Sequence, residues 1–196
     1  MTIAETYLPI PEDLVESFRR FTLADYRRLT EIGFLTENDN IELLEGCLVK
    51  KTSRNPPHDS TLQRLFRKLW PLLPDGWDLR IRMAIALDRS EPEPDAAIVR
   101  EGDYDTAHPT STDIACVAEV SDSSLSIDRS LKTQIYADAG IPVYLIVNVC
   151  ERCAELYELP VGSVYTRIAR FAEADALPLP VAGRVLTLAV EDLLPR

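Results

Sequence analysis

Residues 114–149, IACVAEVSDSSLSIDRSLKTQIYADAGIPVYLIVNV, decide how the rest of the chain is read. Two apolar runs, 114–121 and 143–149, flank a polar stretch. The second is bounded by Pro142 and reads as a buried central strand. The first reads as another strand, and between them Ser126 opens a helix that Gly140 ends. Glu119 interrupts the first run. A buried carboxylate needs a metal, a cation or hydrogen bonds to offset its lost hydration. Strand alternation could instead turn Glu119 to solvent, or an arginine could pair with it.

Working outward, residues 77–88, WDLRIRMAIALD, alternate strictly, which predicts one long half-buried strand. Pro92 and Pro94 separate it from a strand at DAAIVR, 95–100. Over 59–73, Leu62, Leu65, Phe66, Leu69 and Leu72 or Leu73 recur at helical spacing, with Arg64, Arg67 and Lys68 on the other face. Residues 40–51, NIELLEGCLVKK, form a hairpin around Glu45-Gly46. Thr22, with Asp25 three residues on, starts a helix that Gly33 stops. Downstream, 154–159 and 163–169 predict a hairpin, and the tail from Pro178 a short strand and a short terminal helix. The order gives a single α/β domain with a mixed sheet, residues 21–196, behind an N-terminal arm, 1–20.

The 196 residues are 46% hydrophobic, enough for a core, and no stretch of 18 apolar residues suggests a membrane span. The first residues lack a basic patch before an apolar run, so no secretory signal is expected. Sparse cysteines fit reduced thiols and a cytoplasmic location. Cys150 and Cys153 form a CxxC between two strands, where a β-turn is the expected reading. The net charge of −11 argues against a protein held to nucleic acid by global charge, while leaving room for a local basic groove.

Asp95, at the start of a strand behind Pro94, and Glu119 could hold a hard divalent cation through oxygen. Glu42, on the first hairpin strand, is a third acid, and a solvated strand position is its plainer reading. Lys132 follows the Glu119 strand and shares a helix face with Asp128, four residues before it. Such a lysine can orient an attacking water or stabilise charge on a phosphate, whereas an exposed Asp–Lys pair would do neither.

At these residues the chain resembles the Uma-two family of endonucleases, in the restriction-endonuclease-like superfamily with the PD-(D/E)xK motif. EPEPDAAIVR, VAEVSDSS, the Asp128-to-Lys132 spacing and YADAGIP carry the resemblance, and the helix and hairpin at 21–49 extend it over roughly residues 21–195. The resemblance implies a restriction-endonuclease-like mixed β-sheet flanked by α-helices. It implies Asp95 and Glu119 as metal ligands, Glu42 as an accessory acid, and the carbonyl of Val120 as a further ligand. Ser121 stands where the superfamily's lysine usually follows the second acid, and Lys132 matches the place to which the family moves it. Asp128, His58 and Ser121 are implied as supporting residues. Cys47 departs from the family, which commonly has an acid after the hairpin glycine.

The expectation is therefore a Mg²⁺-dependent endonuclease, with Mn²⁺ as a substitute, acting on nucleic acid with DNA foremost. The contact would be a basic strip of Arg64, Arg67, Lys68, Arg80 and Arg82. The resemblance is compatible with a homodimer. Two other readings stand beside it: a non-catalytic nucleic-acid- or protein-binding module on the same scaffold, and a metal-dependent hydrolase of another substrate.

Overall fold

The computed structural model describes residues 17–52 and 55–196, so the expected arm at 1–20 falls outside them up to residue 16. Helix α1 (Leu23–Glu31) starts on Thr22, whose side chain and Asp25 cap each other's backbone N–H as the sequence predicts. Strands β1 (Ile41–Leu44) and β2 (Cys47–Lys50) form a hairpin. Its two turn residues, Glu45 and Gly46, both have positive φ, the backbone of a tight hairpin turn. A Cβ at Gly46 would also lie 2.7 Å from the Cβ of Arg20, so glycine is needed there twice over.

Helix α2 (Pro56–Leu69) is capped by Asn55, which accepts the N–H of His58, and has proline in its first turn. It buries Leu62, Leu65 and Leu69 against the sheet, each contributing roughly 1.5–3 kcal/mol by leaving water. Strands β3 (Trp77–Ile81), β4 (Ala96–Arg100), β5 (Ile114–Ser121), β6 (Val143–Asn148), β7 (Cys153–Val161) and β8 (Val164–Ala172) form a six-stranded sheet in that spatial order. Only β5 and β6 run parallel. A crossover joins them: α3 (Leu125–Ile127), a π-helical turn at Asp128–Lys132, and α4 (Thr133–Asp138). Strands β9 (Ala176–Val181) and β10 (Arg184–Ala189) pair apart from the sheet, and α5 (Val190–Leu193) follows.

Both faces of the central strands are covered. Cys116, Ala118 and Val120 of β5 pack in one core with α2 and the β9–β10 hairpin. Val117 packs in the other with Ile135 and Tyr136 of α4 and with Tyr144, Tyr157 and Tyr165. Every residue of β5 is buried, so alternation carries Glu119 under the crossover and not to solvent.

Three expectations need correction. The strand predicted over 77–88 ends at Ile81, because Arg82 takes a left-handed φ of 52° and its N–H turns to the carbonyl of Asp95. Beyond it the backbone bonds to other partners, Ile85 N–H to Pro92 and Ala86 N–H to Pro109. The helix expected from Ser126 to Gly140 runs from Leu125 to Asp138 but widens to a π turn at Asp128–Lys132. The tail holds two strands where one was predicted. The CxxC is a turn, with Cys153 opening β7 and both thiols free. Among the described residues no helix is long and apolar enough to cross a membrane.

Candidate active site

Four elements deliver the predicted residues to one pocket: β1 brings Glu42, the first turn of α2 brings His58, β5 brings Glu119, and the π turn brings Lys132. Asp95, just before β4, completes the set. Asp95 Oδ2 accepts the backbone N–H of Val120 at 2.9 Å and lies 3.0 Å from His58 Nε2. That pair ties the start of β4 to β5. Asp95 Oδ1 has no hydrogen bond among the described residues, and its nearest cation is Arg82 Nε at 3.9 Å.

Glu119 is 3% exposed. Its Oε1 accepts from Lys132 Nζ at 2.8 Å and from the Tyr136 hydroxyl at 2.9 Å, and its Oε2 from the N–H of Asp95 at 3.3 Å. Burial, with Asp95 and Asp128 close by, pushes the carboxyl up against the opposing pull of Lys132. Burial works against the ammonium of Lys132, but Glu119, Glu42 and Asp128 outweigh it and raise its pKa. Glu42 Oε1 and Asp128 Oδ1 each lie 3.8 Å from that nitrogen. Glu42 Oε2 accepts the N–H of Glu93 at 3.1 Å.

Asp128 is held by two hydroxyls, Ser121 and Ser124, each donating to Oδ2 at 2.6 Å. Its Oδ1 is buried with no hydrogen-bond partner. The π turn starts at Asp128, whose carbonyl accepts the Thr133 hydroxyl at 2.7 Å and the Tyr144 hydroxyl at 3.2 Å. His58 loses from burial, yet its bonds to Asp95 and Asp59 raise its pKa overall.

The donor set suits a hard cation: it is all oxygen, and Asp95 Oδ1 and Glu42 Oε1 carry no hydrogen bond among the described residues. The three acids do not close to metal-ligand spacing around Lys132. Among the described residues, the trio of His, Cys, Asp or Glu whose donor atoms lie within 4.8 Å of one another is Glu151, Cys153 and Glu155, at the β6–β7 turn.

The expected basic strip is dispersed. Arg82 lines the pocket and pairs with Asp59. Lys68 pairs instead with Asp192, and Arg80 lies 5.2 Å from the ring of Tyr104. Sequence reading missed Lys51, which lines the pocket and bonds to Glu93 at 2.7 Å, and Asp122, held by Asn55 and Cys150. It also missed Tyr136, although its position four residues after Lys132 puts the two on one helix face.

A family model, Uma2, described as "Putative restriction endonuclease", matches residues 23–191. No curated protein matches the chain. Among solved structures, the chain is similar to a "putative nuclease belonging to DUF820 from Anabaena variabilis ATCC 29413", with a TM-score of 0.67 at 14% identity. The superposition covers 88% of this chain and 97% of that one, and shows a shared fold.

Proposed function

The chain belongs to the Uma2 family, and on that premise we propose that it is a metal-dependent endonuclease hydrolysing phosphodiester bonds of nucleic acid, with DNA the expected polymer. One observation carries the reading: Glu42, Asp95, Glu119 and Lys132, far apart in sequence, line one pocket. Asp95, Glu119 and Glu42, with the carbonyl of Val120, are the proposed ligands of Mg²⁺, for which Mn²⁺ substitutes. When bound, the cation supplies Lewis acidity for a phosphate and lowers the pKa of an attacking water.

The chain's own groups do the rest. Lys132 presents a positive charge at the pocket, where it orients water and stabilises charge developing on the phosphate. Asp128, fixed by Ser121 and Ser124, positions that lysine. Tyr136 fixes one oxygen of Glu119, and His58 braces one oxygen of Asp95. Arg82 and Lys51, paired with Asp59 and Glu93, form the pocket wall.

The test is plasmid and single-strand cleavage in Mg²⁺ by the wild type and by Lys132→Met. The variant is expected to lose about 10²- to 10⁴-fold in rate. Because it strands the buried Glu119, Lys132→Met is paired with the double variant Glu119→Gln/Lys132→Met, which removes one charge of each sign and serves as the control for folding. Full cleavage by a folded Lys132→Met would overturn the role of the lysine. Metal binding by the wild type without cleavage of any nucleic acid would favour a binding module.

A further inference from the structure

The outward stripe of α2 is unlike the rest of this acidic surface. Residues 60–74 hold Arg64, Arg67 and Lys68 and no acid, in a chain with 32 acidic residues. On that stripe Phe66 and Trp70 stack on each other, ring centroids 5.7 Å apart and planes 28° apart. They are 37% and 50% exposed, a large apolar area for water to cover. Arg64 and Arg67 have no ion pair among the described residues, whereas Arg82 and Lys51 at the pocket are already engaged by Asp59 and Glu93.

The stripe is continuous with the pocket. The first turn of α2 carries His58 against Asp95, and Asp59, next on the helix, holds Arg82 at the pocket wall. At 1.5 Å per residue, Phe66 lies about 12 Å and Trp70 about 18 Å along the axis from His58. Exposed aromatic rings beside an unpaired arginine, Arg67, are what unstacked bases need, since every base has a π-face and every linkage a phosphate. A duplex hides its base faces and is held mainly through many phosphates, which a chain of net charge −11 is poorly made to contact.

We infer that the outward face of α2 is a binding platform for single-stranded nucleic acid, with Phe66 and Trp70 stacking on bases and Arg67, three residues before Trp70 on the same face, holding a flanking phosphate. This rests on the nuclease reading for its occupant, and makes the strand leading to the pocket an unpaired one. The platform lies outside the acid cluster, so it binds without a divalent metal.

The chain has two tryptophans, and the other, Trp77, is half-buried beneath Arg100. In a Trp77→Phe background, a short oligothymidylate titrated in EDTA is expected to quench the emission of Trp70. By fluorescence anisotropy of the labelled oligonucleotide, Phe66→Ala/Trp70→Ala is expected to weaken binding at least about tenfold. Trp70→Phe should keep most of the affinity, and a duplex of the same length should bind more weakly and ignore the variant. With one or two cations engaged, log affinity should fall against log salt with a slope of about −0.7 to −1.4.

Unquenched Trp70, unchanged affinity in the double variant, or tighter binding of the duplex would each overturn the platform. So would a double variant that changes only the oligomeric state, which would assign the face to a second copy of the chain. Because binding is read without metal, loss of binding in the double variant of a protein that never cleaves would keep the platform and sink the nuclease. Cleavage of a single strand with unchanged affinity in the variant would do the reverse.

Discussion

Two clusters of acids occupy this molecule, and the one that meets a simple distance criterion for metal is the less suited to hold one. At the β6–β7 turn, Glu151, Cys153 and Glu155 gather within 4.8 Å. Two arginines already fill that space. Arg129 donates to both oxygens of Glu151 and of Glu155, and Arg170 donates to Cys153 Sγ and Glu151. Asn148 and Tyr157 take up what remains of Glu155. Glu42, Asp95 and Glu119 in the pocket, and Asp128 behind it, have one buried cation, Lys132, within 4 Å of three of them. Among the described residues, Asp128 Oδ1 is buried with no hydrogen bond and only Lys132, at 3.8 Å, near it. The first cluster is electrically closed and the second is open. Residual demand for positive charge marks a cation site better than the proximity of acids does.

The sharpest way to break this contrast is to disable each cluster in turn. Asp95→Asn should cut Mg²⁺-dependent cleavage at least about 100-fold, whereas Glu151→Gln should leave it within about twofold. The reverse result would move the metal to the β6–β7 turn. The next largest effect is thermal. Mg²⁺ at a hundred times its Kd should stabilise the wild type by about 2.7 kcal/mol, a shift that Asp95→Asn abolishes and Glu151→Gln keeps, as scanning calorimetry would show.

If the closed cluster is structural, Arg129→Ala should lower stability by about 1–3 kcal/mol in urea, by unpairing Glu155 in its buried place. A variant as stable as the wild type would show that the cluster holds nothing together. The smallest effect is in pH. Burial pushes Glu155 up, but its bonds from Arg129, Tyr157 and Asn148 outweigh this and hold its carboxyl below the usual range. Its stabilisation is therefore full above the unfolded value of about 4.3 and disappears as pH falls through the lower folded value. Between pH 5 and acid, Glu155→Gln should lose less urea resistance than the wild type. Parallel losses in the two proteins would remove Glu155 from the account.

What the sequence made legible follows the same division. The buried runs at 114–121 and 143–149, the hairpin turn at Glu45-Gly46 and the capped start of α1 are local signals, and each became the element it predicted. The ending of β3 at Ile81 was not local. The alternation continues in the residues beyond, but Arg82 bonds to Asp95, Ile85 to Pro92 and Ala86 to Pro109, partners set by tertiary structure. Glu119 shows the limit from the other side. Its apolar neighbours made it conspicuous, yet only the second covering layer, with Tyr136 and Lys132, decides that alternation buries it. The basic strip was drawn from one-dimensional proximity, and Lys68 and Arg80 found other partners.

The π turn at Asp128–Lys132 makes the length of this segment as consequential as its composition. Upstream, Asp128 is tied to Ser121 at the end of β5; downstream, Ile135 and Tyr136 are locked in the core. Removing one residue between those anchors would turn one end against the other by about 100° and shorten the path by about 1.5 Å. Either Lys132 would leave Glu119, or the core contacts of α4 would break. The crossover should therefore accept many substitutions on its exposed side, at Ser126, Ser130 or Gln134, while tolerating no single-residue insertion or deletion. The exposed turn at Gly162-Ser163, between β7 and β8, is tied down among the described residues only by the Ser163 hydroxyl on Asp138, and is where changes in length should be better absorbed.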